Sequence, residues 1–231
     1  FRYADGKAWE AERSGCVAHD PAREFLWIHI DGIRDNVDDI LAEFTHIPHQ
    51  AVAALKAHET RPRCTEFGEG ALINLRGLGA PSAIDGDPLV SIRFWAERGL
   101  TITLAFRELG ALERIMSRML AGEIRDPGDL ISTTAMEIAE ALDPEIADLG
   151  DAMDGIESRV LEEGDTGERR RVAQLRAQAI SYRRFLAPQR QASERLMALS
   201  GEWLEADDRL HFQEAADRYA RMVEELESVR E

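Results

Sequence analysis

Four side chains near the C-terminal end have the types and spacing of a divalent-cation site: Asp207, His211, Glu214 and Asp217. Asp207 and His211 lie four residues apart, and His211, Glu214 and Asp217 follow three apart, so a helix sets them along one face. Imidazole with carboxylates suits zinc and its neighbours, whereas carboxylates with water suit magnesium. One helix cannot close a coordination sphere. Such a site needs ligands from another element or from a second copy of the chain.

The remaining candidates are weaker. His46 and His49 have metal-compatible spacing, but Pro48 stands between them at an expected helix start, so they read as incidental surface residues. His29 alternates within an apolar strand and reads as a hydrogen-bonded core residue. Cys16 and Cys64 make neither a disulfide framework nor a C-x-x-C pair, and both read as ordinary buried thiols. Hydrolase, nucleotide-loop, dinucleotide and zinc-protease signatures are all absent, and no nucleophile, base and orienter can be named, so the reading is not an enzyme. No cofactor motif is present either.

Composition narrows the partners. The chain has 231 residues with 28 Lys and Arg against 44 Asp and Glu, a formal net charge of −16. That balance argues against a general nucleic-acid binder, which needs clustered cations to neutralise phosphates. No apolar run reaches the ~18–20 residues needed to span a bilayer. The abrupt ends at Phe1 and Glu231, the latter inside a helical pattern, read as a piece of something longer.

Two regimes position the candidates. Up to about residue 125 the apolar runs are short and punctuated by Gly and Pro. Residues 25–30 and 71–76 read as strands, and 89–96 with 100–106 as a hairpin around a three-residue loop, Glu97-Arg98-Gly99. Helical stretches fall at 36–44, 48–58 and 109–120. The fold class is therefore α+β: an α/β-type mixed sheet with flanking helices over 1–125.

Beyond that point the signal is helix. Ile138, Leu142, Ile146, Leu149, Met153, Ile156 and Val160 form one stripe; Val172, Leu175, Ala179, Tyr182 and Leu186 form a second. Glycines 164 and 167 between them predict an antiparallel helical hairpin over 126–202. Pro144 and Pro188 should kink or interrupt its helices. The first arm, 127–163, is acidic with Arg159 its one base; the second, 168–200, is rich in arginine. Side by side, these are either two solvated faces with weak pairs or an acidic surface that concentrates cations.

A third helix starts near Trp203 and runs through 203–231. Phe212, Ala216, Tyr219, Val223 and Leu226 give it a heptad seam, which either packs on the first domain or, left bare, drives self-association.

The order of these elements resembles the cytoplasmic domain of CorA-type divalent metal ion transporters, most of all the ZntB zinc-transporter branch. The resemblance rests on Trp27 to Gly32, on Ile47-Pro48 followed by Ala53-Ala54-Leu55, and on Glu59 to Cys64 with Gly70 to Gly77. It continues through Ala141 to Ile146, Asp154 to Val160 and Arg183 to Arg190. It implies a funnel-forming homopentamer whose last helix is a stalk leading to membrane helices absent here. The protein would sit at the cytoplasmic face of the inner membrane, handling zinc or, in the alternative, magnesium. Phe212 to Arg218 resembles a stretch of the family's magnesium branch in which a stalk carboxylate joins a cation site between protomers; Glu214 and Asp217 take the acidic places, Arg218 replaces a histidine, and His211 one turn earlier is the candidate substitute. A soluble coiled-coil scaffold is the rival class. The transporter reading is staked on a last helix that cannot stay solitary; one fully covered by its own chain would count against it.

Overall fold

The computed structural model describes residues 1–11, 20–58, 60–81, 87–163 and 166–230, with side chains outside 157–163, 166–168 and 230. The elements run β1 (Arg2–Ala4), β2 (Lys7–Trp9), β3 (Phe25–Asp31), α1 (Val37–Leu41), α2 (His49–Lys56), β4 (Arg63–Phe67), β5 (Gly70–Leu78), β6 (Leu89–Glu97) and β7 (Leu100–Ala105). Helices α3 (Leu112–Leu120), α4 (Pro127–Glu163), α5 (Thr166–Met197) and α6 (Ala206–Arg230) follow.

The seven strands form one mixed sheet, ordered β2-β1-β3-β7-β6-β5-β4. β3 and β7 are parallel, with Leu26 opposite Leu100 and Ile30 opposite Leu104; the other pairs are antiparallel. Alternation sorts the side chains between two faces. Leu26, Ile30, Leu72, Trp95, Ile102 and Leu104 pack under α1 and α2. Phe25, Trp27, Ile73, Leu75, Ile92 and Phe94 join a larger core that continues into α3, α4, α5 and α6. The mixed α/β sheet with flanking helices, followed by long helices, is the predicted architecture. Strands β1, β2 and β4 are additions to it.

Several details differ from expectation. The β6–β7 hairpin turns through two residues, Arg98 and Gly99, because Glu97 pairs with Leu100 inside the ladder. Gly99 has φ +72°, a conformation only glycine adopts cheaply. Neither Pro144 nor Pro188 interrupts its helix: α4 spans 37 residues and α5 spans 32. A proline inside a helix costs about 3 kcal/mol, and the fully buried neighbours Leu142, Ile146, Leu186 and Gln189 hold these helices through it. The glycine turn predicted at 164–167 lies largely outside the described residues, as does Cys16.

The larger correction concerns α6. Phe212, Ala216, Tyr219 and Leu226 are buried by the chain's own helices, and Val223 packs against the same core. The acidic and basic arms meet each other less than they meet α6, which lies along both. It runs parallel to α4, with the Tyr219 hydroxyl donating to the Ala135 carbonyl at 2.9 Å. It runs antiparallel to α5, where Arg183 pairs with Glu227 at 2.6 Å and Arg209 donates to the terminal carbonyls of Met197 and Leu199. The seam is therefore satisfied within one chain and supplies no reason to self-associate. No described helix is long and apolar enough to cross a membrane.

Candidate functional site

α6 carries the predicted ligands outward. Its buried stripe faces α4 and α5, which leaves Asp207, His211, Glu214 and Asp217 exposed. Their positions on one helical side follow from the three- and four-residue spacing. Within one chain they do not converge. Glu214 accepts from Arg218 at 2.9 Å, and the same guanidinium lies 3.6 Å from Asp143 and 4.0 Å from Glu140 on α4. The arginine that stands in the histidine place thus already neutralises one predicted ligand. A closed site on this face needs donors from elsewhere, as the sequence required.

Among the described residues, one group brings three carboxylates to ligand spacing: Asp126, Asp129 and Asp208, with oxygens all within 4.8 Å. Two helix starts build it. Asp126 caps α4 by accepting from the Asp129 N–H at 2.8 Å, and Pro127 fills the first turn, where no donor is needed. Asp129 reaches back to the Arg125 N–H at 3.0 Å and to its guanidinium. Asp208, three residues into α6, accepts from the Glu205 N–H at 2.8 Å, half of a capping box. Gly128 makes the contact possible, since a Cβ there would lie 2.0 Å from Asp208 Oδ2.

The group's electrostatics follow from that crowding. Burial pushes the Asp126 carboxyl up to about 7, the capping hydrogen bond opposes the shift, and Asp129, Asp208 and Glu205 add to it. Burial likewise raises Asp208 to about 6, with Asp129 and Glu205 contributing. Oxygen-only donors of this kind can hold a hard cation. Each of the three is nonetheless occupied as a backbone acceptor at a helix start. The local signal Asp126-Pro127-Gly128-Asp129 is legible as a helix start; the arrival of Asp208 eighty residues later is not.

The other sequence candidates resolve simply. His29 Nδ1 lies 2.8 Å from Thr103 Oγ1 and burial lowers its pKa to about 4, so it is hydrogen-bonded as expected, although the strand leaves it half-buried rather than in the core. His46 pairs with Glu97 at 2.6 Å, away from any partnership with His49. Cys64 is a buried free thiol that burial pushes up to about 12.

A seven-stranded mixed sheet backed by three long helices is shared with known structures. The full-length CmaX protein matches over 97% of this chain and 70% of its own, with TM-score 0.84 and 27% identity. The cytoplasmic domain of ZntB from Vibrio parahaemolyticus matches over 88% of this chain and 81% of its own, with TM-score 0.76 and 19% identity. A family model described as CorA-like Mg2+ transporter protein matches residues 22–231. The chain belongs to that family. The zinc transport protein ZntB of Klebsiella pneumoniae is 30% identical over 210 residues, which cover 87% of this chain and 62% of that protein. The present chain thus spans less than two thirds of that relative's length. Family membership stands on these matches, although the self-association argument for α6 does not.

Proposed function

We propose that this chain is the cytosol-facing portion of a divalent-cation transporter, with zinc as the preferred ion. It would sit at the inner face of the plasma membrane, and transport would reside in membrane helices outside residues 1–231. The single observation that carries the reading is the 30% identity, along most of the chain, to proteins named for zinc transport. In this reading residues 1–125 form the sheet domain, 126–202 the two arms and 203–231 the stalk. Copies assemble, five in the reading taken from the family resemblance, through the outer face of α6, where Leu210 is 62% exposed amid the carboxylates. Asp207, His211, Glu214 and Asp217 then supply cation ligands from more than one copy.

Magnesium is the second reading, favoured by the family description and by Glu214 and Asp217 as oxygen donors. The two separate in thermal melts with zinc or magnesium, on wild type and on His211→Ala. At a hundredfold excess over the dissociation constant a bound ion adds about 2.7 kcal/mol. A zinc shift lost in His211→Ala supports zinc; a magnesium shift that survives it and fails in Glu214→Gln supports magnesium. No shift with either ion removes cation sensing from this part of the chain. Uptake of labelled zinc and magnesium by the full-length transporter in vesicles tests the transport claim separately.

A further inference from the structure

The chain carries a net charge of −16, yet one cavity collects cations. It has a volume of about 490 Å³ and lies beside β5 just beyond the end of β4. Because β4 stops pairing at Asn74, the backbone of Arg76 has no strand neighbour on that side. Gln189 of α5 replaces it, its Oε1 accepting from the Arg76 N–H at 2.6 Å and its Nε2 donating to the Arg76 carbonyl at 2.9 Å. This brings α5 against the sheet edge and sets Arg184 and Phe185 beside Arg76.

The cavity is built from three separate stretches. Arg76 stacks on the Phe185 ring, its guanidinium carbon 3.8 Å from the centroid, and Arg184 lies 5.8 Å from the same ring. Arg61 and Thr60 come from the α2–β4 connection, which the buried Arg93 fixes by donating to the carbonyls of Ala57 and His58. Asp87, paired with Arg76 at 2.8 Å, is the one acid among the described lining residues. Three guanidinium groups against one carboxylate leave two positive charges. Two buried donors on the lining, Arg76 Nε and Thr60 Oγ1, have no hydrogen-bond acceptor. Arg61 and Arg184 are exposed at the rim.

We propose that this cavity binds a phosphate-type oxyanion, either free phosphate or the phosphoryl end of a small metabolite. Guanidinium forks match phosphate oxygens in pairs, and the hydroxyls of Thr60 and Ser91 suit the remaining oxygens. The net charge of the described lining is opposite and equal to that of a phosphate dianion. A cation at the outer face of α6 and an anion at this cavity would be separate ligands, so the inference stands apart from the transport reading.

Titration of the 231-residue chain with inorganic phosphate and, separately, with ATP tests it, read by calorimetry and by the 31P line. Saturable binding by either probe is expected, weakened about tenfold or more in Arg61→Ala/Arg184→Ala, whose rim side chains leave the core untouched. Phosphate as tight as ATP identifies the free anion; ATP markedly tighter identifies a phosphoryl compound. Circular dichroism of the double variant verifies that it folds, and Arg34→Ala, outside the cavity lining, keeps full binding. Absence of saturable binding by both probes overturns the proposal, as does binding that the double variant leaves unchanged.

Discussion

Carboxylates occur in two contrasting settings on the same helix. At its start, Asp208 is 2% exposed and shares a crowded pocket with Asp126 and Asp129. Along its outer side, Asp207, Glu214 and Asp217 stand in solvent. The charged group is the same and the consequences opposite. Burial makes Asp126 and Asp208 costly to ionise, and backbone hydrogen bonds commit all three to holding two helix starts in register. Solvent leaves Asp207 and Asp217 open to outside ligands, while Glu214 already shares the Arg218 guanidinium at 2.9 Å. A divalent cation arriving from solution meets the outer face first, whereas the inner group is already used by the fold.

Disrupting the inner setting has the largest expected effect. Phe212 is fully buried one turn beyond Asp208. Phe212→Ala should destabilise the chain by about 3–5 kcal/mol through lost burial and the cavity left behind, read as a shifted denaturant midpoint. Gly128→Ala is sharper, because two effects oppose each other. Helix propensity alone favours alanine by about 1 kcal/mol. The new methyl would overlap Asp208 Oδ2, which cannot retreat without releasing the Glu205 N–H. Overpacking costs about 1–3 kcal/mol, so net destabilisation is expected, and a gain in stability would show the junction to be loose.

The inner carboxylates also predict a pH dependence. Asp126 faces Asp129, Asp208 and Glu205, with Arg125 as the nearby cation. Its folded pKa of about 7 lies above the ordinary carboxylate value. Between roughly pH 4 and 7 the folded chain holds a proton that the unfolded chain has released, so stability falls as pH rises across that window. Asp126→Asn keeps the cap acceptor and removes the charge. At pH 7.5 it should be more stable than wild type by about 1 kcal/mol, after discounting for partial exposure. The gain should vanish towards pH 4. Melts at four pH values measure it, and a constant difference would contradict the buried-charge origin.

How much of this was legible in the sequence differs between the two settings for a physical reason. The outer face was readable because helical spacing is local: once Phe212, Ala216 and Tyr219 define the inward stripe, His211, Glu214 and Asp217 must point away. The same stripe could not say what covers it, since periodicity fixes a face and never its partner. Strands β3, β5, β6 and β7 were visible as apolar runs between glycines. β1, β2 and β4 were not, being short edge-side strands in which only Cys64 is buried. The inner carboxylates and the basic cavity were invisible because Asp126 meets Asp208, and Arg61 meets Arg184, only through tertiary packing.

The smallest expected effect is also the most discriminating. Asp217→Asn removes an exposed charge from the outer face, and surface substitutions of this kind stay within about 0.5 kcal/mol. Its melting temperature should therefore match wild type at every pH where Asp126→Asn differs. Any effect of Asp217→Asn should emerge only with a divalent cation present, as a reduced ion-induced shift that shrinks further as salt rises. A stability loss without added ion would mean that Asp217 is structural, and the division between an inner face that folds the chain and an outer face that meets ions would fail at that residue.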